Sequence, residues 1–422
     1  MQNPSTHNYW SLIWLRFKKN RGAKWSFSLF ILLIWIAMLQ PFIAGDIPIY
    51  AEIDGKSSFP ILKKYLIDFG LATPTDAYRN GGYWHKQKYD AVIFPIIPYS
   101  ATYRDTRNIH YKSPFGPQNI RRGQTWHYLG TDHLGRDVAS GMIAGVRIAL
   151  KVGLFSMLIA TLIGIALGAL AGFYGDDKLQ MSLGAVLLNL LAIFLSVFYG
   201  FIARSYAFAE GNMAWEMLKS MGIVASIFLL LNLLSSLLHA IPLLGKKVTI
   251  PIDIVVMRLV EVMNSIPSLL IIIAFAAIFS SRSIWPLIFI IGLVRWTSIA
   301  KFTRAELLKI RNLEYIQSAK ALGFNNRQIL FYHALPNAIG PALIVIAFGI
   351  AGAVLAEATL AFLDIGTDEL NRISWGTLLK GARNNAAYWW MAIFPGLAIF
   401  VTVMIFNLMG EGLKDALDAK DI

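Results

Sequence analysis

Seven stretches of this 422-residue chain run for nineteen residues or more without a charged side chain, and they constrain the fold more than any motif does. They lie at 26–44, 152–173, 181–203, 220–243, 262–281, 338–356 and 389–410. A hydrocarbon core of roughly 30 Å needs about 20 apolar residues in a helix, so each run can cross a bilayer. An eighth, 283–300, is interrupted by Arg295 near one end, where a long side chain can reach the headgroups. With 56% hydrophobic and 15% charged residues, the composition excludes an ordinary soluble domain. The expected fold is an all-α polytopic membrane protein of about eight transmembrane helices.

The net charge of +13 sits mostly in loops beside spans rather than on one folded face, so it reads as a lipid-orientation signal and not as a nucleic-acid site. Arg16, Lys18, Lys19, Arg21 and Lys24 precede the first run. Arg304, Lys309, Arg311, Lys320 and Arg327 fill the loop before 338, against only Glu306 and Glu314. Both segments are expected to face the cytoplasm. Six crossings separate them, which places them on one side, and the C-terminus follows. The expected layout is a basic cytoplasmic N-terminus at 1–25, a first transmembrane helix at 26–44 and an outer-side loop domain at 45–140. A transmembrane core at 146–410 and a cytoplasmic C-terminus at 411–422 complete it. The first run lacks a small-x-small cleavage site and reads as a retained span. There is no cysteine, so no disulfide, thiol nucleophile or cysteine metal site is available.

The outer segment carries Tyr50, Phe59, Tyr65, Phe69, Tyr83, Trp84, Tyr89, Phe94, Tyr99 and Trp126, too many aromatics for a linker, and is expected to pack as a small lid. In the second run Gly164, Gly168 and Gly172 recur every four residues, a helix-packing face. Lys151, Arg258, Glu261, Arg295 and Glu357 lie in or close to spans, where a charge is costly. Arg258 and Glu261 can pair on one helix face. Glu357, between two alanines near the outer end of its span, could line a path or bond neighbouring helices.

Residues 313–337, LEYIQSAKALGFNNRQILFYHALPN, form the one long polar stretch between two apolar runs in the second half. They read as two short helices joined at Gly323. Asn312 is expected to cap the first, with Glu314 in its first turn and Tyr315, Ile316, Ala319 and Leu322 on one face. Asn325 and Gln328 have capping-box spacing for the second, which Pro336 should stop near Leu335. Small residues at Ser318, Ala319 and Gly323 suggest a bare side suited to a groove on another protein.

Enzyme chemistry has little to work with. No phosphate-binding G-x-x-x-x-G-K-[ST] loop, H-E-x-x-H pair or G-x-S-x-G elbow occurs, and the seven histidines are scattered. No catalytic, cofactor or metal residue is expected. Asp132, His133, Arg136 and Asp137 in LGTDHLGRD form the densest polar cluster and read as a salt-bridged loop entering the second span.

Four stretches resemble the transmembrane permease subunits of binding-protein-dependent ABC importers of the oligopeptide and dipeptide type. LGTDHLGRDVASGMIAGVRIALKVG (129–153) is similar to the family's G-T-D-x-x-G-R-D segment, and MRLVEVMNSIPSLLI (257–271) to M-R-x-x-D…P-x-L, with Glu261 for aspartate. The 313–337 stretch is similar to the E-A-A-x-x-x-G…L-P coupling loop. Gln317 stands for glutamate and Ser318 for the first alanine, while Ala319, Gly323, Leu335 and Pro336 match. Glu357, Ser374-Trp375-Gly376 and residues 394–418 resemble the family's C-terminal end. The first 125 residues look more like the longer permeases of the peptide and peptide-antibiotic branch.

The resemblance implies a non-catalytic subunit in the inner membrane, with a cytoplasmic coupling loop at 302–336. Its helix at 313–323 would dock into a cleft on an ATPase subunit. Two such ATPases carrying ATP and magnesium, a second homologous permease chain and an outer-side peptide-binding protein are the implied partners. Residues 176–250 depart from the pattern and read as a two-helix hairpin inserted in a six-helix core. An ion-coupled secondary transporter relying on carboxylates such as Glu357 is the alternative.

Overall fold

A backbone in hydrocarbon must satisfy its own N–H and C=O groups, so uncharged runs of this length fold as helices. The computed structural model describes residues 9–418, apart from 69–70, 74, 76–77, 79–82, 121–124, 178, 205, 208–212, 239–240, 279–283, 366–371 and 384. Its principal helices are α1 (Tyr9–Lys19), α2 (Arg21–Met38), α3 (Val138–Ala169), α4 (Leu183–Val197), α5 (Met213–Leu238), α6 (Ile252–Ser265), α7 (Ser268–Ile278), α8 (Trp285–Ile310), α9 (Glu314–Ala321), α10 (Leu335–Phe362), α11 (Trp375–Lys380) and α12 (Trp390–Asp418). Among the described residues seven helices are long and apolar enough to cross a membrane.

The run expected to span at 262–281 is not straight. The chain bends by 80° between α6 and α7, because Pro267 has no N–H to donate and holds Ile266 in extended geometry (φ −105°, ψ 131°). Residues 279–283, where this run and the next were expected to meet, lie outside the described residues.

The bent pair still carries the chain across, and the packing of α3 on α8 shows why. A Cβ on Gly164, Gly168 or Gly172 would meet the carbonyl of Trp296 at 2.8 Å, Ala300 at 2.6 Å or Arg304 at 2.7 Å. Both series climb together, so the two helices run parallel with backbones touching. The Ile254 amide donates to Asp176 just beyond the end of α3, and Trp285 packs edge-on against Phe155 near the other end of the span. With α4 and α5 crossing as an antiparallel pair, α6 and α7 must return the chain to the starting side of α3. That makes eight crossings.

α4 and α5 form a hairpin closed at its base by β1 (Gln180–Ser182) and β2 (Lys247–Thr249), which pair antiparallel. Asn189 and Asn232 bond each other across it at 3.1 and 3.3 Å, and Arg204 pairs with Glu216. Elsewhere α10 and α12 pack on α3 and α2 through Val146, Leu150, Val354, Ile399 and Phe406.

The 45–140 segment folds around a three-stranded antiparallel sheet, Lys56–Ser58, Tyr50–Ile53 and Ala91–Ile93 in that order, with a helix at Pro60–Asp68. Tyr99 is fully buried, donating its hydroxyl to the Thr125 carbonyl at 2.6 Å, and Trp84 is buried too. Tyr50, Tyr65, Tyr89 and Phe94 are half-buried. Phe59, Tyr83 and Trp126 stay exposed, and Phe69 lies outside the described residues.

Candidate functional site

The segment after α8 turns back on itself and is pinned to the bundle. α8 ends at Ile310, and the Leu313 amide bonds the Ile310 carbonyl at 3.0 Å to start α9. The expected Asn312 cap does not form. Leu313 is the capping residue, with no side-chain bond, while the Asn312 side chain donates its Nδ2 back to the Leu308 carbonyl. Asn312 lies in the α8 turn, one residue too early to face the new helix.

The expected single face over α9 also divides. Ile316 is fully buried and Ala319 nearly so, packed among Ala169 and Phe173 at the end of α3, Leu307 and Ile310 of α8, and Ala338 of α10. Burying Ile316 stabilises this contact by about 1.5–3 kcal/mol. Tyr315 and Leu322 point away, Leu322 with 78% of its surface exposed. Glu314, Gln317, Ser318 and Gly323 are exposed, but Ala319, expected on the bare side, is the anchor.

Gly323 adopts φ +83°, and the Phe324 amide bonds the Ala319 carbonyl at 3.2 Å, the left-handed ending that glycine allows. Asn325 and Gln328 do form a capping box. Pro336 does not stop the helix that follows. The chain runs from Asn326 to Phe362 as one helix, because residues Ile329–Ala334 widen into a π-helical turn in which the Leu335 amide reaches the Leu330 carbonyl. The widened turn makes room for the Pro336 ring. Leu335 and Pro336 are half-buried at its base.

That turn also leaves Phe331 and Tyr332 facing outward, the latter 77% exposed, and Leu322 and Phe324 are exposed as well. Sequence reasoning attended to the small residues and missed these aromatics. Their adjacency in LGF…ILFY was the available signal. The loop thus presents an apolar tip, with Lys320 and Arg327 in the same segment, seated on the ends of three spans.

The other candidate residues are not brought here. Asp132 and Arg136 form a buried ion pair at 2.5 Å, and Asp137 caps α3 by accepting from the Ser140 amide at 2.7 Å. They lie at the far end of the span Val138–Tyr174, roughly 50 Å away at 1.5 Å per residue. His127, Asp105 and Tyr99 complete that cluster and carry no local sequence pattern. His127 bonds Asp137 at 2.9 Å and approaches Asp105 at 3.4 Å, with its ring stacked on Tyr99. Burial alone would lower the His127 pKa, but the two carboxylates outweigh it and push it up to about 9. Arg258 and Glu261 pair at 2.6 Å on an exposed face of α6. Glu357 is buried in α10 in hydrogen-bond contact with Ser374, whose side chain caps α11. Among the described residues no group of three or more His, Asp or Glu could hold a metal ion.

Residues 243–420 match the family described as binding-protein-dependent transport system inner membrane component, and residues 8–55 match the N-terminal TM domain of oligopeptide transport permease C. The chain is 29% identical over 411 residues to the inner membrane ABC transporter permease protein YejE of Escherichia coli, covering 96% of this chain and 95% of that protein. It is 30% identical over 295 residues to the glutathione transport system permease protein GsiD of Pectobacterium atrosepticum (70% and 73%). To the dipeptide transport system permease protein DppC of Haemophilus influenzae it is 29% identical over 336 residues (78% and 86%). The family match covers the bent pair, the pinned loop and the helices after it, and with these relatives it shows that the chain belongs to the inner membrane permease components of binding-protein-dependent ABC transport systems.

Proposed function

We infer that this chain forms half of the translocation pathway of an ATP-driven importer of oligopeptides or dipeptides. The peptide class is supported by the relatives, whose names specify dipeptide and glutathione transport. The alternative of an ion-coupled secondary transporter is set aside, since the family works with ATPases. Glu357, the carboxylate named for it, is buried against Ser374.

The observation that carries the coupling role is the seating of α9. Ile316 and Ala319 lock it to the ends of α3, α8 and α10, while Tyr315, Leu322, Phe331 and Tyr332 face outward. A push on the tip therefore moves three spans together, since a close-packed contact transmits displacement. Two cytoplasmic ATPases bind ATP and magnesium and supply that push; this chain binds no cofactor and hydrolyses nothing. A second, homologous permease completes the pathway, and an outer-side binding protein delivers the peptide to the 45–140 domain. The loop at 302–336 and both termini lie in the cytoplasm. The even count of crossings between the two basic segments supports that arrangement.

The test is to coexpress the chain with ATPase, partner permease and binding protein and to reconstitute the assembly in vesicles. ATP-dependent uptake of a short peptide, with no ATPase activity from this chain alone, is the expected result. Uptake that survives ATP depletion and collapses with the proton gradient would contradict it.

A further inference from the structure

Between α2, α3 and the outer-side domain lies a cavity of about 400 Å³ that plays no part in the coupling just described. Its polar lining consists of Gln40, just past the end of α2, Asp46, Lys64 on the Pro60–Asp68 helix, Ser100, and Arg147 and Lys151 one turn apart on α3. Among the described lining residues, three cations face one carboxylate, an excess of two positive charges. The Arg147 guanidinium donates to Gln40 at 3.4 Å and joins the two helices at this level.

The level itself is that of the headgroups. The first uncharged run, 26–44, ends two residues before Asp46, and the end of such a run marks the membrane surface. The uncharged run of α3 begins at Val152, immediately after Lys151. Trp285, half exposed beside Phe155, is the kind of ring that anchors at this boundary.

Directly along α3 from the cavity, Phe155, Leu158 and Leu162 follow Lys151 at spacings of 4, 7 and 11, on the helix face that carries Arg147 and Lys151, and all three are exposed. From Arg147 to Leu162 the stripe is about 22 Å long, cationic at one end and apolar along the rest. A water-soluble anion would match only the first part, and a lipid with a neutral headgroup only the second.

We propose that this cavity holds the phosphate headgroup of an anionic phospholipid, whose acyl chains lie along Phe155, Leu158 and Leu162. Arg147 and Lys151 supply charge-assisted bonds to the phosphate, as basic pockets between spans do. Because Lys64 belongs to the outer domain and the other two cations to α3, the bound lipid ties that domain to the bundle. The site depends on neither the ATPases nor the peptide.

The full chain in neutral detergent is titrated with phosphatidylglycerol, phosphatidylcholine and inorganic phosphate, and bound lipid is counted by native mass spectrometry. Phosphatidylglycerol is expected to bind at least tenfold tighter than phosphatidylcholine. Arg147→Gln with Lys151→Gln removes that preference, and Lys151→Arg keeps it. Asp46→Asn, which deletes the one carboxylate, tightens phosphatidylglycerol severalfold, a gain that damage to the fold cannot imitate. Equal binding of the two lipids would overturn the proposal, as would a preference that survives the double substitution or weaker binding in Asp46→Asn. Displacement of phosphatidylglycerol by low-millimolar inorganic phosphate would overturn it too, showing a free-anion site.

Discussion

The Gln317 side-chain amide donates to the Arg311 carbonyl at 2.9 Å and closes the turn between α8 and α9. A glutamate, usual at this place in the chains this one resembles, has no N–H to give and would set a charge against that carbonyl. Gln317 is therefore a brace for the loop. Gln317→Glu is expected to loosen the turn by about 1 kcal/mol, read as faster amide hydrogen exchange over 311–322, while assembly with the ATPases persists. Unchanged exchange would remove the brace.

Gly323 separates strain from docking. Nothing lies within 4 Å of the place a Cβ would occupy, yet φ is +83°. Gly323→Ala then costs only the left-handed strain of about 1–2 kcal/mol and should retain the ATPases on purification. Gly323→Arg carries the same strain and adds bulk that only a partner would feel, so it should lose them. Equal retention by both variants would mean that no partner approaches this corner.

The α3 and α8 interface is held by backbone contact. Gly168→Leu would drive a side chain into the Ala300 carbonyl and the Thr303 side chain, an overpacking that costs about 1–3 kcal/mol or more. A lowered melting temperature in detergent is expected. Gly222→Leu, at a helical glycine with nothing within 4 Å, should leave it unchanged.

The His127 cluster makes stability fall at alkaline pH. The folded pKa of His127, about 9, lies above its ordinary value near 6.5. Its stabilising contribution is therefore complete below about 6.5 and is lost as pH rises through 9. Asp105 shifts the other way. Burial would raise it, but bonds from His127, Asn108 and the Arg107 amide hold it low, so its contribution fades only in acid. Thermal unfolding followed from pH 7 to 10 should fall more steeply for the native chain than for His127→Gln. Parallel curves would contradict this.

The helices were legible because hydrocarbon leaves the backbone no other solution, and the glycine spacing of α3 named its packing face without naming α8. What stayed hidden depends on one-residue shifts or on distance. Asn312 missed the cap by one position, and Pro267 bent a run that hydropathy alone would draw straight. Pro336 looked like a stop because the π-helical turn that accommodates it has no local signature. The same turn rotated Phe331 and Tyr332 outward, and a strict 3.6-residue period does not follow such a rotation. Ala319 looked like part of a bare docking side, yet it faces Phe173 and Ala338, contacts that exist only once three spans have met. His127 found Asp105 and Asp137 across 22 and 10 residues of irregular chain, where periodicity says nothing.

Because the chain has no cysteine, one introduced at Leu322 is the sole thiol, and its reach reports directly on the loop. In the intact membrane assembly, Leu322→Cys should react with an impermeant maleimide only from the cytoplasmic side and crosslink at short range to an ATPase subunit, with nucleotide changing the yield. Labelling from the outer side, or a thiol that reacts only with lipid-soluble reagents and never with the ATPase, would contradict the coupling role assigned to α9.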